Sequence, residues 1–253
     1  MSMQYDEFFK EQWRWSKFQK YLIAKLEKYN CNECNISPEY LYKESTYGSK
    51  KEKKTARLCT FAGHNDRINF FRSVCISSPS YSVLNFLIIP NPLYNTPFFG
   101  LDFVSLPNYH LLVLDFQPSL MINQQFEESL INNLLRIKDE FHSKVPIAEE
   151  MSKEISQFFS PAVIWSKLPM EKSSDRLIEK YLYPTFKQYL NLYLKGLFES
   201  KEVDLNLQSE LIKGQNIYLN YRKRKDPARP MLKALFGESF TESLINNFLF
   251  RVE

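Results

Sequence analysis

Between residues 56 and 116, five short β-type runs follow one another, separated only by turn residues. The runs cover 57–62, 68–76, 83–89, 98–105 and 109–116. The breaks are Gly63-His64-Asn65-Asp66, Ser77-Ser78-Pro79-Ser80, Pro90-Asn91-Pro92 and Leu106-Pro107-Asn108. A parallel pairing needs a crossover of a dozen or more residues, and none of these breaks can hold one. The runs are therefore expected to pair as an antiparallel meander. A sixth strand is expected at 162–168.

Helical spacing dominates elsewhere. Phe18, Leu22, Leu26 and Tyr29 share one face of a helix over 16–29. Leu120, Phe126, Leu130, Leu134 and Ile137 do so over 119–141. A third helix is expected over 174–200, kinked at Pro184 because proline lacks the backbone donor and crowds the preceding turn. Further helices are expected at 205–221, from Asp226-Pro227 to near Gly237, and at 241–249. The Lys-rich stretch after the first helix, to about residue 55, reads as a loop. Helices before, inside and after one meander imply a single sheet covered on both faces. The expected fold is α/β, a three-layer α/β/α sandwich with a central antiparallel sheet, formed by residues 1–253 as a single domain.

Several functional classes are excluded by what the chain lacks. Its six glycines, at 48, 63, 100, 196, 214 and 237, are too scattered to write a dinucleotide fingerprint or a phosphate-cradling loop. Cys31 and Cys34 have metal-ligand spacing, but no second close pair accompanies them. Cys59, Cys75 and the two earlier cysteines are expected to be reduced thiols, with no metal. A net charge of +4 is small for a nucleic-acid binder. No apolar run approaches the roughly 18 residues of a membrane span, and the start is not that of a signal peptide. A cytoplasmic protein is expected, or a stromal one in a plastid. Basic residues cluster at Lys50, Lys51, Lys53, Lys54 and Arg57, and again at Arg222, Lys223, Arg224, Lys225 and Arg229. Each cluster is either a solvated face or a docking site for an acidic partner.

Asp102 has the most suggestive surroundings, lying between Phe98-Phe99-Gly100-Leu101 and Phe103-Val104. Strand alternation puts Gly100, Asp102 and Val104 on one face. A carboxyl group held there would ionise reluctantly and could carry a proton at neutral pH, as a proton donor must. The alternative is an acid at a strand end, solvated or paired with a base. Asp226 is explained as a helix N-cap followed by proline. Asp115 is expected to organise the turn that leaves its strand, and His64, His110 and His142 to lie in polar or turn surroundings.

Ser82-Val83-Leu84-Asn85-Phe86, Pro97-Phe98-Phe99-Gly100-Leu101-Asp102 and Leu114-Asp115-Phe116-Gln117-Pro118 resemble the ferredoxin-dependent bilin reductases. Phe158-Phe159-Ser160-Pro161 with Trp165, Lys225-Asp226-Pro227-Ala228-Arg229 and Phe248-Leu249-Phe250 continue the likeness in order over most of the chain. Trp13-Arg14-Trp15, Tyr47-Gly48-Ser49-Lys50 and the Phe-Phe-Ser-Pro segment resemble one branch in particular. That branch reduces the A-ring diene of 15,16-dihydrobiliverdin to phycoerythrobilin.

The resemblance implies a bilin lying between the sheet and the C-terminal helices, with Asp102 reaching it from the sheet and Asp226 from the helices as catalytic acids. It implies electrons from reduced ferredoxin and no cofactor bound to the chain. Asn85 and Ser73 would contact substrate, standing where the biliverdin-to-phycocyanobilin branch has histidine and glutamate. Arg222, Lys223, Arg224 and Lys225 would dock ferredoxin. A preceding bilin reductase would be the partner that hands over substrate, and neither nucleic acid nor membrane is an expected partner. A sibling activity on biliverdin, or a bilin carrier without turnover, are the competing expectations.

Overall fold

The structure is a computed structural model that describes residue 8, residues 13–149, residue 151 and residues 153–251. Its centre is an eight-stranded antiparallel sheet: β1 (Asn32–Glu33), β2 (Tyr42–Gly48), β3 (Lys53–His64), β4 (Ile68–Ser77), β5 (Ser82–Pro90), β6 (Phe98–Ser105), β7 (Tyr109–Gln117) and β8 (Ile164–Pro169). From β3 to β8 each strand pairs with the next in sequence, as the short breaks require. β1 and β2 both pair along the outer edge of β3.

Period-two alternation divides the strands between two apolar layers. One face carries Phe71, Cys75, Leu84, Phe86, Phe99, Leu101, Phe103, Leu112 and Leu114. It is covered by α1 (Ser16–Lys28), by α4 (Glu128–His142), which follows the short α2 (Pro38–Leu41) and α3 (Ile122–Gln125), and by α7 (Tyr183–Glu199). α5 (Lys153–Ser156) precedes β8, and α6 (Lys172–Leu177) follows it. The other face carries Leu58, Phe70, Val74, Val83, Leu87 and Phe98. It packs beneath α8 (Leu205–Lys225), α9 (Arg229–Phe236), α10 (Glu238–Leu244) and a closing π turn, Ile245–Leu249. The three layers are thus those expected.

The differences have local causes. The expected loop before residue 55 contains β1, α2 and β2. β2 is an edge strand whose residues are all exposed or half-buried, so it never needed an apolar alternation. The helix expected over 119–141 is broken, because Phe126 is extended between α3 and α4. Pro184 does not break its helix. A π segment, Ile178–Leu182, precedes it, and the Tyr183 amide bonds five residues back to the Ile178 carbonyl. Widening that turn accommodates the residue with no donor. α8 runs four residues beyond its expected end.

His110 departs furthest from expectation. It is fully buried in β7, against Trp15 at 6.2 Å and with Ser105 Oγ 2.9 Å from Nδ1. Burial, reinforced by the Arg14 charge, holds its pKa down at about 4.

Candidate active site

Three residues on adjacent strands build the floor of a cleft under α8. Asn85 of β5 stands opposite Asp102 of β6, and Arg72 of β4 lies one step diagonally away, opposite Leu87. All three have the parity of the face beneath the C-terminal helices. The Asn85 amide donates to Asp102 Oδ1, and its oxygen accepts from Arg72 Nη1. From the helical side Arg222 brings Nη2 to 3.7 Å from Asp102 Oδ2. The cleft measures about 270 Å³ with its open mouth, and Gly100, Gln117, Tyr218 and Phe250 are among the other residues that line it.

Electrostatics at Asp102 are a contest. Burial raises its pKa, while Arg222, the Asn85 hydrogen bond and Arg72 pull it down and the Asp226 charge adds to the rise. The net direction is upward. Its side chain keeps 30% exposure, so it can exchange protons with water through the mouth. Such a carboxyl group can be held protonated nearer neutrality than a solvated one and be reloaded after use.

Asp226 ends α8, one turn beyond Arg222, and is buried at 8% exposure. The expected N-cap is displaced. Ala228 caps α9, Pro230 follows at its start, and Asp226 Oδ1 accepts from the Ala228 amide at 2.9 Å. Asp226 therefore closes one helix and organises the turn into the next. Its charge reaches Asp102, Arg72 and Arg222.

Ser73 is not brought to this site. Adjacent strand residues point to opposite faces, and Ser73 donates to Gln19 Oε1 at 2.8 Å beneath α1. Arg72 and Val74 occupy the cleft face instead. Arg222 is likewise turned inward, leaving Arg224 and Lys225 exposed and Lys223 half-buried. Lys225 Nζ lies 3.9 Å from Glu154.

Sequence reading missed Arg72, Gln117 and Tyr218. Arg72 is 1% exposed, and desolvation lowers its pKa to about 10 against the pull of Asp102 and Asp226. A lone arginine inside Phe70-Phe71-Arg72-Ser73-Val74, with the parity of Asn85's partner, was the available signal. Tyr218 stacks on Phe98 at 4.5 Å and donates to Gln117 Oε1 at 2.5 Å. Gly100 makes room for that pair, since a Cβ there would lie 2.6 Å from Gln117 Oε1. Asp115 is also on this face, fully buried. It accepts from the Ser160 amide at 2.8 Å and from its hydroxyl at 2.5 Å. It thereby anchors the loop whose Phe158 stacks on Tyr221 at 4.2 Å.

Among the described residues no group of three or more His, Cys, Asp or Glu could hold a metal ion, and no helix is long and apolar enough to cross a membrane.

The sequence of the chain matches a known family. The family model for ferredoxin-dependent bilin reductase matches residues 19–251, and the chain belongs to that family. It is an enzyme family that acts on bilins, and its members depend on ferredoxin. The chain is 62% identical over 244 residues to a phycoerythrobilin:ferredoxin oxidoreductase of Prochlorococcus marinus strain MIT 9301, covering 96% of each. A second protein of that name, from P. marinus subsp. pastoris, is 58% identical over 99% of this chain and 98% of its own. Among solved structures, phytochromobilin synthase from tomato in complex with biliverdin superposes with a TM-score of 0.74 at 26% identity, covering 92% of this chain and 82% of that one.

Proposed function

We propose that the chain catalyses the ferredoxin-dependent two-electron reduction of the A-ring diene of 15,16-dihydrobiliverdin, giving phycoerythrobilin. The names of the 62% and 58% identical relatives support the reaction. The observation that carries the chemistry is Asp102, raised in pKa, held by Asn85 and Arg222 and reached by the charge of buried Asp226.

Two reduced ferredoxins each give up one electron, and the bilin takes up two electrons and two protons. Every added electron makes the tetrapyrrole more basic. Asp102 protonates it from the sheet side and Asp226 from the helical side, and water reloads both acids. The aromatic walls, Tyr218 with Phe98 stacked on it and Phe250, limit competing protonation by bulk water. Lys223, Arg224 and Lys225 dock the acidic ferredoxin beside Asp226, which shortens the electron path. Substrate arrives from the enzyme that reduces the C15 bridge of biliverdin.

Anaerobic turnover with reduced ferredoxin, followed by visible absorption, tests this reading. Dihydrobiliverdin should give phycoerythrobilin, and Asp102→Asn and Asp226→Asn should each slow turnover by about a hundredfold or more. Normal rates and product in either variant would remove that acid from the mechanism. Turnover of biliverdin in preference to dihydrobiliverdin would assign the sibling reaction.

A further inference from the structure

Arg72 is the buried cation for which that mechanism has no use. Its side chain is committed in two directions. Nη1 donates to the Asn85 oxygen, and the same Asn85 donates to Asp102. Nε donates at 2.8 Å to the carbonyl of Leu249, at the end of the closing π turn. The guanidinium also lies 5.2 Å from the centre of the Phe250 ring, which lines the cleft. The last carbonyls of a helix lack partners within it and carry partial negative charge, so a buried arginine suits that end. No solvent competes at this residue, and the planar fork gives each contact a fixed direction.

We infer that Arg72 is a positioning residue for the reaction. Through Asn85 it aims the Asp102 carboxyl, and through Leu249 it makes that aim depend on the seating of the C-terminal wall. The closed part of the cleft is only about 10 Å³, room for little more than a water molecule, so a tetrapyrrole must displace part of this wall on entry. The sheet-side acid and the wall then share one guanidinium, and the acid is set only when the wall has returned. This rests on the assignment of Asp102 as a proton donor, and Asp102→Asn tests that assignment separately.

The experiment is a double-mutant cycle between Arg72 and Asn85 in the full chain, read as kcat, KM for dihydrobiliverdin and the pH profile of kcat. Arg72→Gln removes the charge. Arg72→Lys keeps the charge but cannot hold both acceptors with one planar group. Each is expected to lower kcat by about tenfold to a hundredfold while KM changes by less than about threefold. Because Arg72 and the Asn85 bond both lower the Asp102 pKa, the alkaline limb of the profile moves to higher pH in Arg72→Gln and in Asn85→Ala. The double variant should fall no further than Asn85→Ala alone, since the two act in one chain. Losses that multiply, or a pH limb that stays in place, would overturn the inference. If Arg72→Gln does not fold, the Arg72→Lys cycle decides by kcat alone, since its charge is kept: a loss that multiplies with that of Asn85→Ala would overturn the inference.

Discussion

Asp115 and Ser160 are joined twice, amide to carboxylate at 2.8 Å and hydroxyl to carboxylate at 2.5 Å, in a position without solvent. Burial outweighs both bonds and raises the Asp115 pKa to about 7. The folded protein therefore holds a proton here that the unfolded chain releases near the ordinary carboxylate value of 3.8. The stability this supplies is complete below about 3.8 and is lost as pH rises through about 7, amounting to about 4 kcal/mol at most. Asp115→Asn should lack this slope. In urea titrations it should gain on the wild type steadily between pH 4 and 7, and a constant difference would show that Asp115 does not titrate in this window.

His110 acts in the opposite sense. Its folded pKa is depressed from 6.5 to about 4, so its contribution is present above 6.5 and is lost as pH falls through about 4. The limit is about 3 kcal/mol. Between pH 4 and 6.5 the two slopes oppose one another. His110→Gln should consequently be stabilised by acidification relative to the wild type, and a parallel pair of pH curves would contradict the burial argument.

At Asp226 the turn and the chemistry can be separated. Asparagine keeps an oxygen for the Ala228 amide, so Asp226→Asn should unfold within about 0.5 kcal/mol of the wild type while losing turnover. Asp226→Ala should lose the turnover and also about 1 kcal/mol of stability. Equal stability of the two variants would show that the Ala228 contact carries no weight.

Gly100→Ala places a methyl group on Gln117 Oε1, the acceptor of the Tyr218 hydroxyl. The strand cannot yield without disturbing both neighbouring ladders, so a loss of about 1–3 kcal/mol is expected, with weaker bilin binding. Thermal unfolding together with a bilin absorbance titration measures both, and an unaffected variant would mean that Gln117 is free to move aside.

Reversing Arg224 and Lys225 to glutamate should raise the KM for ferredoxin and flatten its dependence on salt, leaving the KM for the bilin unchanged. The two side chains are exposed, so the fold should tolerate the change. An unchanged salt dependence would move the docking site elsewhere.

The meander was legible because Gly63, Pro79, Pro90 and Pro107 punctuate it and leave no room for crossovers. Strand parity was legible too, and it grouped Asp102 with Gly100, which lines the same cleft. The same parity, applied to Ser73, would have turned it away from the cleft and pointed to Arg72. β2 was hidden because an edge strand with no buried residue carries no apolar period. Asp226 looked ordinary because Asp-Pro reads as a helix start; only the packing of α8 over the sheet reveals that it is instead a buried turn residue whose charge reaches Asp102. His110 was misread because its partners, Trp15 and Ser105, differ in kind and reach it from α1's approach and from a hairpin neighbour.

Arg72 donates to a carbonyl 177 residues further along the chain, while Asn85 lies only 13 away. The floor of the cleft can thus assemble from consecutive hairpins, whose local pairings form early. Its charge has no such local solution, because the carbonyl that receives it belongs to the C-terminal layer. Without that layer the guanidinium must keep its water, so the cost of removing that water falls on the docking of the C-terminal layer. The sheet can thus be fully paired and the site still unfinished until the far end of the chain is in place.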